Sequence, residues 1–222
     1  MSHSATAAAD ATDLQADSQA VVIPEVLPGL QLSQQQWQAL QALEEFVASD
    51  EKIYLLTGYA GTGKTTLLQA LISRLQQNHD GRPIALTALS NKATKVLQAM
   101  AYRWGCEVDC MTCCKLLGLK PVIDKETGGQ KFEPDRDRKN LTTEYDLVVV
   151  DECSMINEDM WHLLVNAVSR LTDRTQLLFV GDSAQLPPVG ETESPCFEKI
   201  IERSDLTEVI RYGGAIGLLA ED

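Results

Sequence analysis

The sequence predicts an α/β domain with a parallel sheet and helices on both of its faces. Two uninterrupted apolar runs, residues 147–150 and 177–180, have the length and composition of strands that are buried on both sides. A third apolar run, residues 53–57, leads directly into a glycine-rich turn and then into leucines at helical spacing. Strands that alternate with helices in this way are typical of parallel sheets.

The length and composition are those of an ordinary globular protein. The 222 residues suit one large domain, or one domain with a small insertion, and a hydrophobic content of 44% supplies an ample core. No apolar run is long enough to span a bilayer, and the N-terminus lacks the features of a signal peptide, so we expect a cytoplasmic protein without a membrane partner. The net charge of −13 argues against a surface that binds nucleic acid everywhere but leaves room for a local groove.

The N-terminal region predicts a tail followed by a capped helix. Residues 1–29 are expected to be disordered, because small and polar residues dominate them. In the next stretch, LSQQQWQALQALEEFV, Ser33 and Gln36 have the spacing of a capping box. Gln36 has an alternative role, in which its amide reads an adenine edge beside the glycine-rich turn. The spacing alone favours the cap.

The glycine-rich turn has the complete spacing of a P-loop, Gly58-x-x-x-x-Gly63-Lys64-Thr65. Its glycines let successive N–H groups turn inward, and the following helix adds its own unpaired N–H groups, so the turn suits a bound phosphate. Lys64 can reach the β- and γ-phosphates of ATP, and the Thr65 hydroxyl can ligate Mg²⁺. A chance match is the alternative, and the flanking strand and helix argue against it. The predicted nucleotide-binding residues of the turn are Gly58, Ala60, Gly61, Thr62, Gly63, Lys64, Thr65 and Thr66.

Two carboxylates follow the apolar run 147–150, at the end of a predicted parallel strand where ligands bind in open α/β sheets. Asp151 is predicted to hold Mg²⁺. Glu152 is predicted to orient and deprotonate an attacking water, which a nucleotide hydrolase needs and a passive binder does not. Two solvated acids at a strand end are the simpler alternative, but the P-loop upstream favours catalysis.

A stiff loop follows the apolar run 177–180. Gly181 and the pair of prolines at 187 and 188 fix a turn in GDSAQLPPVGE. Asp182 and Gln185 are therefore held at the same edge of the predicted sheet. The amide of Gln185 can sense a γ-phosphate there.

A strand over residues 84–87 precedes a further capped helix. Thr87, Ser90, Asn91 and Lys92 cluster at the N-terminus of that helix, a position suited to an external phosphate. From the spacing alone, a capped turn without a ligand is the favoured interpretation.

The middle of the chain contains a group of cysteines and a predicted hairpin. A zinc site usually has two separated pairs of ligands, whereas these cysteines crowd into one stretch, so reduced and partly buried thiols are expected. They are Cys106, Cys110, Cys113 and Cys114, and the same state is expected of Cys153 and Cys196. Two β-type runs flank Gly128 and Gly129 and predict a small β-hairpin insertion over residues 119–140.

These motifs occur in a specific order that resembles the first half of a superfamily 1 helicase of the 5′-to-3′ branch, the RecD-like and Dda-like AAA-type ATPases. The matching segments are LSQQQWQA, GYAGTGKTT, TALSNKA, TCCKLLG, VVVDECSM, GDSAQLPPV and LTEVIRY. They cover about residues 30–212. The resemblance implies a RecA-like P-loop ATPase domain over residues 30–212, and residues 213–222 as the start of a truncated second motor domain.

The resemblance also implies roles for single residues. It implies that Gln36 recognises adenine, that Gln185 couples the γ-phosphate to the DNA site, and that Arg211 reaches the γ-phosphate. The implied contacts with single-stranded DNA are Thr87, Ser90, Asn91, Lys92 and Thr112, and the hairpin is implied to split the duplex at a fork. Without the resemblance, a merely decorative hairpin is equally favoured.

The resulting expectation is a monomeric first motor domain that binds ATP and Mg²⁺, hydrolyses ATP slowly and does not unwind DNA by itself. Two alternatives stay open. One is the ATPase part of a relaxase or nuclease complex, and the other is a nucleotide-dependent DNA-binding module without useful catalysis.

Overall fold

The computed structural model describes residues 25, 29–78, 81–123, 130–169 and 174–210. Several predicted features lie outside these residues. They are nearly all of the tail over residues 1–29, the glycine turn at 128 and 129, Arg211, and residues 213–222.

The described residues form helices and strands that largely alternate. The helices are α1 (Gln34–Ala48), α2 (Lys64–Gln77), α3 (Asn91–Trp104), α4 (Cys113–Leu116), α5 (Glu158–Val168) and α6 (Pro195–Lys199). The strands are β1 (Ile53–Gly58), β2 (Ile84–Ala88), β3 (Asp109–Thr112), β4 (Leu119–Ile123), β5 (Gln130–Pro134), β6 (Leu147–Val150), β7 (Gln176–Gly181) and β8 (Arg203–Leu206). Two short 3₁₀ turns cover Thr142–Glu144 and Cys153–Met155.

Six of the strands form one sheet in the order β3-β2-β6-β7-β1-β8. Every neighbouring pair in it is parallel, which confirms the predicted α/β class with a parallel sheet. The carboxyl ends of all six strands therefore meet at one edge of the sheet. β6, β7 and β1 are adjacent, so the loops that follow them are brought side by side.

The core lies on both faces of this sheet, as the uninterrupted apolar strands predict. Successive residues of β1 point to opposite faces: Leu56 packs with α1, α2 and α3, whereas Leu55 packs on the other face with α4, α5 and α6. Phe179 of β7 is fully buried on that second face and stacks at a tilt on Trp161, with 5.4 Å between ring centroids.

The helix starts agree with the capping signals in the sequence. The Ser33 hydroxyl accepts from the Gln36 N–H, and the Gln36 side chain accepts from the Ser33 N–H, so the predicted capping box is present on α1. Ser90 caps α3 by accepting from the Ala93 N–H at 3.1 Å. The strand-to-helix turn after β2 is thus capped at the residue that the sequence predicts.

A small antiparallel hairpin stands apart from the main sheet. β4 and β5 pair from Leu119 opposite Pro134 to Ile123 opposite Gln130. Its base is anchored in the core by buried Leu119, while Ile123 near the other end is 77% exposed. The insertion therefore projects from the domain on a buried base.

The cysteines of the described residues are all free thiols. Cys113, Cys153 and Cys196 are buried, and burial raises the pKa of the Cys113 thiol to about 12. Among the residues that the structure describes, no group of three or more histidine, cysteine or acidic side chains is arranged to hold a metal ion. Nor does the described part of the chain contain a helix that is long and apolar enough to cross a membrane.

We expect Gln176→Leu to lower the free energy of unfolding by roughly 1–3 kcal/mol. The buried Gln176 amide donates to the backbone oxygens of Phe46, Ser49 and Glu51, and so ties the end of α1 to the start of β7. Leucine of similar size removes the donor and leaves a buried carbonyl unpaired. Urea denaturation measures the change, with Gln98→Leu on the exposed side of α3 as the control. Equal stability of the two variants would show that this amide is not a structural tie.

Candidate active site

The loops that follow β1, β6 and β7 surround a cavity of about 400 Å³ at the carboxyl edge of the sheet. This is the position at which open parallel sheets bind ligands, and the volume is in the range of small-molecule sites. The cavity is lined by Ala60, Gly61, Gly63, Lys64, Thr65, Thr66, Asp151, Glu152, Gly181, Asp182, Gln185 and Ile210. It thus brings together most residues of the predicted P-loop, both predicted catalytic acids and the predicted sensing amide.

The loop after β1 needs glycine for two different reasons. Gly61 and Gly63 have φ angles of +81° and +88°, in the left-handed region that favours glycine. Gly58 is needed for close approach, since a Cβ there would lie 2.6 Å from the Leu206 carbonyl oxygen and 2.7 Å from Thr62 Oγ1. Gly63 also precedes α2 as an N-cap without a side chain, so the first N–H groups of the helix are left available to a ligand in the cavity.

Lys64 supplies the positive charge of this loop. Its Nζ donates to the carbonyl oxygens of Gly58, at 2.5 Å, and Tyr59, at 3.1 Å. Burial lowers the pKa of the lysine, and the nearby charges of Asp182 and Asp151 oppose that shift. Charged phosphate oxygens are stronger acceptors for an ammonium than backbone carbonyls are, so the lysine is placed to exchange one set for the other.

The turn after β6 carries the two acids. Burial raises the pKa of Asp151, and the charge of Glu152 adds to that effect, while a backbone N–H bond and the charge of Lys64 oppose it. Glu152 is exposed and has a φ of +54°, the one non-glycine residue with positive φ among the residues described. Such a backbone costs about 1–2 kcal/mol and occurs where surrounding contacts impose it. The strain lies at the residue predicted to act as the base.

The residues at this edge fit a bound Mg²⁺. Thr65 and Asp151 both line the cavity, and a magnesium ion is usually held by one or two carboxylates together with substrate phosphates and water. A cluster of protein ligands is not needed for this mode of binding. The oxygen donors on either side of the cavity are of the hard type that Mg²⁺ prefers.

The loop after β7 forms the third wall. Asp182 is 4% exposed, and its Oδ1 accepts from the Ala184 N–H at 2.9 Å, while the Gln185 N–H donates to the Asp182 carbonyl at 3.1 Å. A Cβ on Gly181 would lie 2.5 Å from Cys153 Sγ, so this loop packs directly against the turn of the two acids. The sequence places Asp182 on this loop but does not identify it as a site residue. The available signal is an acid directly after a buried strand, as at Asp151.

Gln36 acts on the P-loop rather than on an open surface. It is 1% exposed and is not among the residues that line the cavity. Its Nε2 donates to the Thr62 carbonyl at 3.1 Å, besides the capping bond of its Oε1. The implied contact with adenine therefore requires the amide to rearrange. The bond to Thr62 joins residues that are 26 positions apart, which spacing within one helix cannot reveal.

The predicted DNA contacts divide into two groups. Thr87 is fully buried, and its hydroxyl donates to the Val149 carbonyl at 2.8 Å inside the sheet. A contact between the Thr87 side chain and DNA would therefore require this hydroxyl to leave the interior of the sheet, and the assignment stays a prediction. Ser90, Asn91 and Lys92 are exposed at the start of α3. Thr112 is half-buried and caps α4 by accepting from the Lys115 N–H.

Comparison with known proteins places the chain in a family of AAA domains. Residues 31–216 match a protein family described as an AAA domain. The uncharacterized protein R530 of Acanthamoeba polyphaga mimivirus is 34% identical over 177 residues, 76% of this chain and 35% of that protein. The RecBCD enzyme subunit RecD of Mycolicibacterium smegmatis is 32% identical over 186 residues, 78% of this chain and 33% of that subunit. The chain thus spans about a third of the length of these curated relatives.

A solved structure supports the fold. The Pif1 helicase from Bacteroides, in complex with ADP-AlF3 and single-stranded DNA, aligns with a TM-score of 0.54 at 19% identity, covering 86% of this chain and 45% of that chain. At this identity the likeness concerns the fold alone. It confirms the α/β P-loop fold of the RecA-like type that the sequence predicts.

We expect Asp151→Asn to raise the free energy of unfolding at pH 7 in metal-free buffer. Burial raises the pKa of Asp151 in the folded state, so the folded protein holds that proton more tightly than the unfolded chain does. Stability is consequently lost as the pH rises from the ordinary aspartate pKa through the raised value. Asparagine has the same shape and lacks this loss.

Urea denaturation in the presence of EDTA at several pH values measures the difference. The advantage of the variant should grow as the pH rises through the titration of Asp151 and shrink toward about pH 3, where both states are protonated. Asp50→Asn, on the exposed segment after α1, serves as the control. A variant that is less stable than the wild type at pH 7 would contradict the electrostatic account.

Proposed function

The chain belongs to this AAA domain family, and from that premise we propose that it is the first motor domain of an ATP-dependent DNA helicase that moves along single-stranded DNA. One observation carries the proposal. The P-loop, the acids Asp151 and Glu152, and the amide Gln185 line a single cavity, although they come from three separate loops. A passive nucleotide binder needs the first of these elements, whereas a motor needs all three.

The P-loop would bind the phosphates of ATP. The uncapped N–H groups at the start of α2 and the ammonium of Lys64 would both stabilise the negative charge of the phosphates. Thr65 and Asp151 would hold Mg²⁺, which supplies positive charge to the phosphate oxygens when it is bound. These residues act by positioning and by charge.

Glu152 would take part in ATP hydrolysis, and Gln185 would sense the γ-phosphate. The exposed carboxylate of Glu152 is at the cavity wall and can accept the proton of an attacking water. Gln185 lies on a loop that packs on the turn of Glu152 through the contact between Gly181 and Cys153. A change at the γ-phosphate can therefore move that loop. Arg211, which lies outside the described residues, is proposed to reach the same phosphate.

Single-stranded DNA is proposed as the track, with movement from 5′ to 3′. Support for the track comes from the likeness to a RecD subunit and to a Pif1 helicase that was solved with single-stranded DNA, whereas the direction rests on the resemblance of the sequence motifs. On this chain the exposed start of α3, with Ser90, Asn91 and Lys92, lies at the same edge of the sheet as the cavity. The hairpin of β4 and β5 is proposed to separate the duplex at a fork. Translocation is proposed to require a second motor domain as well.

We expect Lys64→Ala and Glu152→Gln to separate binding from hydrolysis. Loss of the ammonium should weaken the binding of a fluorescent ATP analogue by at least about tenfold. Loss of the general base should leave binding nearly unchanged and slow ATP turnover by about 10²- to 10⁴-fold. Glu198→Gln, on the exposed side of α6, is the control for charge alone. Wild-type turnover by Glu152→Gln would show that this carboxylate is not the base.

We expect Lys92→Ala to weaken the binding of a labelled oligo(dT) and to make that binding less sensitive to salt. Each phosphate contact that is lost should reduce the slope of log K against log salt by about 0.7 for a single strand. Fluorescence anisotropy at several salt concentrations measures both effects. Arg174→Ala serves as the control, because Arg174 lies before β7 at the opposite edge of the sheet. Identical salt slopes for Lys92→Ala and the wild type would remove this residue from the DNA site.

A further inference from the structure

A short segment after β8 crosses the P-loop. We call residues 207–210 the strap. The Ile210 N–H donates to the Gly61 carbonyl at 3.0 Å, and the Ile210 side chain is part of the cavity wall. Val209 lies against the same glycine, 3.5 Å from the position of a Cβ there. The strap thus forms one wall of the cavity, next to the P-loop.

The other end of the strap is tied to α1 by Gln35. The Oε1 of this residue accepts from the N–H groups of Thr207, at 3.0 Å, and Glu208, at 3.1 Å. Its Nε2 donates to the Asp205 carbonyl at 3.2 Å and to Thr207 Oγ1 at 2.9 Å. One amide therefore joins α1 to a segment that lies 170 or more residues further along the chain.

Two neighbouring glutamines of α1 hold the two sides of the cavity. Gln36 binds the P-loop through the Thr62 carbonyl, while Gln35 binds the strap. The capping box on Ser33 fixes the start of α1 and with it the direction of both side chains. The Ile210 bond to Gly61 then closes a ring of contacts from α1 through the P-loop to the strap and back.

We propose that Gln35 is a positioning residue for nucleotide binding, which holds the strap closed against the P-loop without itself contacting the ligand. The inference rests on the proposed function of the cavity as a nucleotide site. With the Gln35 bonds in place, the strap is ordered before the nucleotide arrives. Without them, binding must also order the strap, and that conformational cost weakens the affinity.

An amide is the side chain that this arrangement requires, because it offers an acceptor and a donor on one rigid group. Glutamate keeps the acceptor for the two N–H groups but loses the donor to the Asp205 carbonyl. Methionine has similar length and helix propensity but offers neither. Gln35→Glu therefore removes part of the hydrogen bonding to the strap and Gln35→Met removes all of it, while α1 is preserved.

The test compares wild type, Gln35→Met and Gln35→Glu, with Gln38→Met on the exposed side of α1 as the matched control. Amide hydrogen exchange reports on the tie directly. In Gln35→Met the amides of Thr207 and Glu208 should exchange at least about tenfold faster than in the wild type. Gln35→Glu should retain most of their protection, and Gln38→Met should match the wild type.

ATP kinetics report on the consequence. In Gln35→Met the affinity for a fluorescent ATP analogue should fall by roughly fivefold to tenfold, with the KM for ATP raised by a similar factor and kcat within about twofold of the wild type. Thermal melting establishes that the variant is folded. A merely structural role would lower kcat and the melting temperature together.

Unchanged exchange at Thr207 and Glu208 in Gln35→Met would overturn the tie, and faster exchange with unchanged nucleotide affinity would overturn its role in binding. Failure of the proposed function has a different signature. In that case the wild-type protein itself would not bind the ATP analogue, whereas the exchange measurements would still report on the strap.

Discussion

Three neighbouring parallel strands end at one edge of the sheet, and the rest of the site depends on this constraint. β6, β7 and β1 are adjacent and parallel, so loops that are about 90 and 120 residues beyond the P-loop are forced to meet it. The strands are buried on both faces, so a shift in register would disrupt side-chain packing against the helices on both sides of the sheet. The fold thereby holds Lys64, Asp151 and Asp182 around one cavity.

The charges of this cavity explain why it is suited to a metal and a nucleotide together. Burial disfavours the charged forms of both Lys64 and Asp151, as the directions of their pKa shifts show. Among the described residues that line the cavity, the acids Asp151, Glu152 and Asp182 outnumber the cation Lys64. Phosphate oxygens would pair the lysine, and a divalent cation would offset the excess of carboxylates.

The parts of the site that the sequence predicts are those in which one short segment carries both the chemistry and its structural context. The P-loop lies between a strand and a helix that are visible in the pattern, and Asp151 directly follows an apolar run. Contacts across long separations have no such local signal, as with the bond of Gln36 to Thr62 or the ties of Gln35 to the strap. The burial of Thr87 has no local signal either, because a strand covered on both faces buries its polar residues too.

The most direct test of the central claim is a crystal structure of the protein with a non-hydrolysable ATP analogue and Mg²⁺. The account predicts that Lys64 Nζ leaves the Gly58 carbonyl for the β- and γ-phosphates, that Thr65 and Asp151 approach the metal, and that Glu152 faces the γ-phosphate. A nucleotide bound away from this edge of the sheet, or a lysine that keeps its bond to Gly58 with the analogue in place, would contradict it.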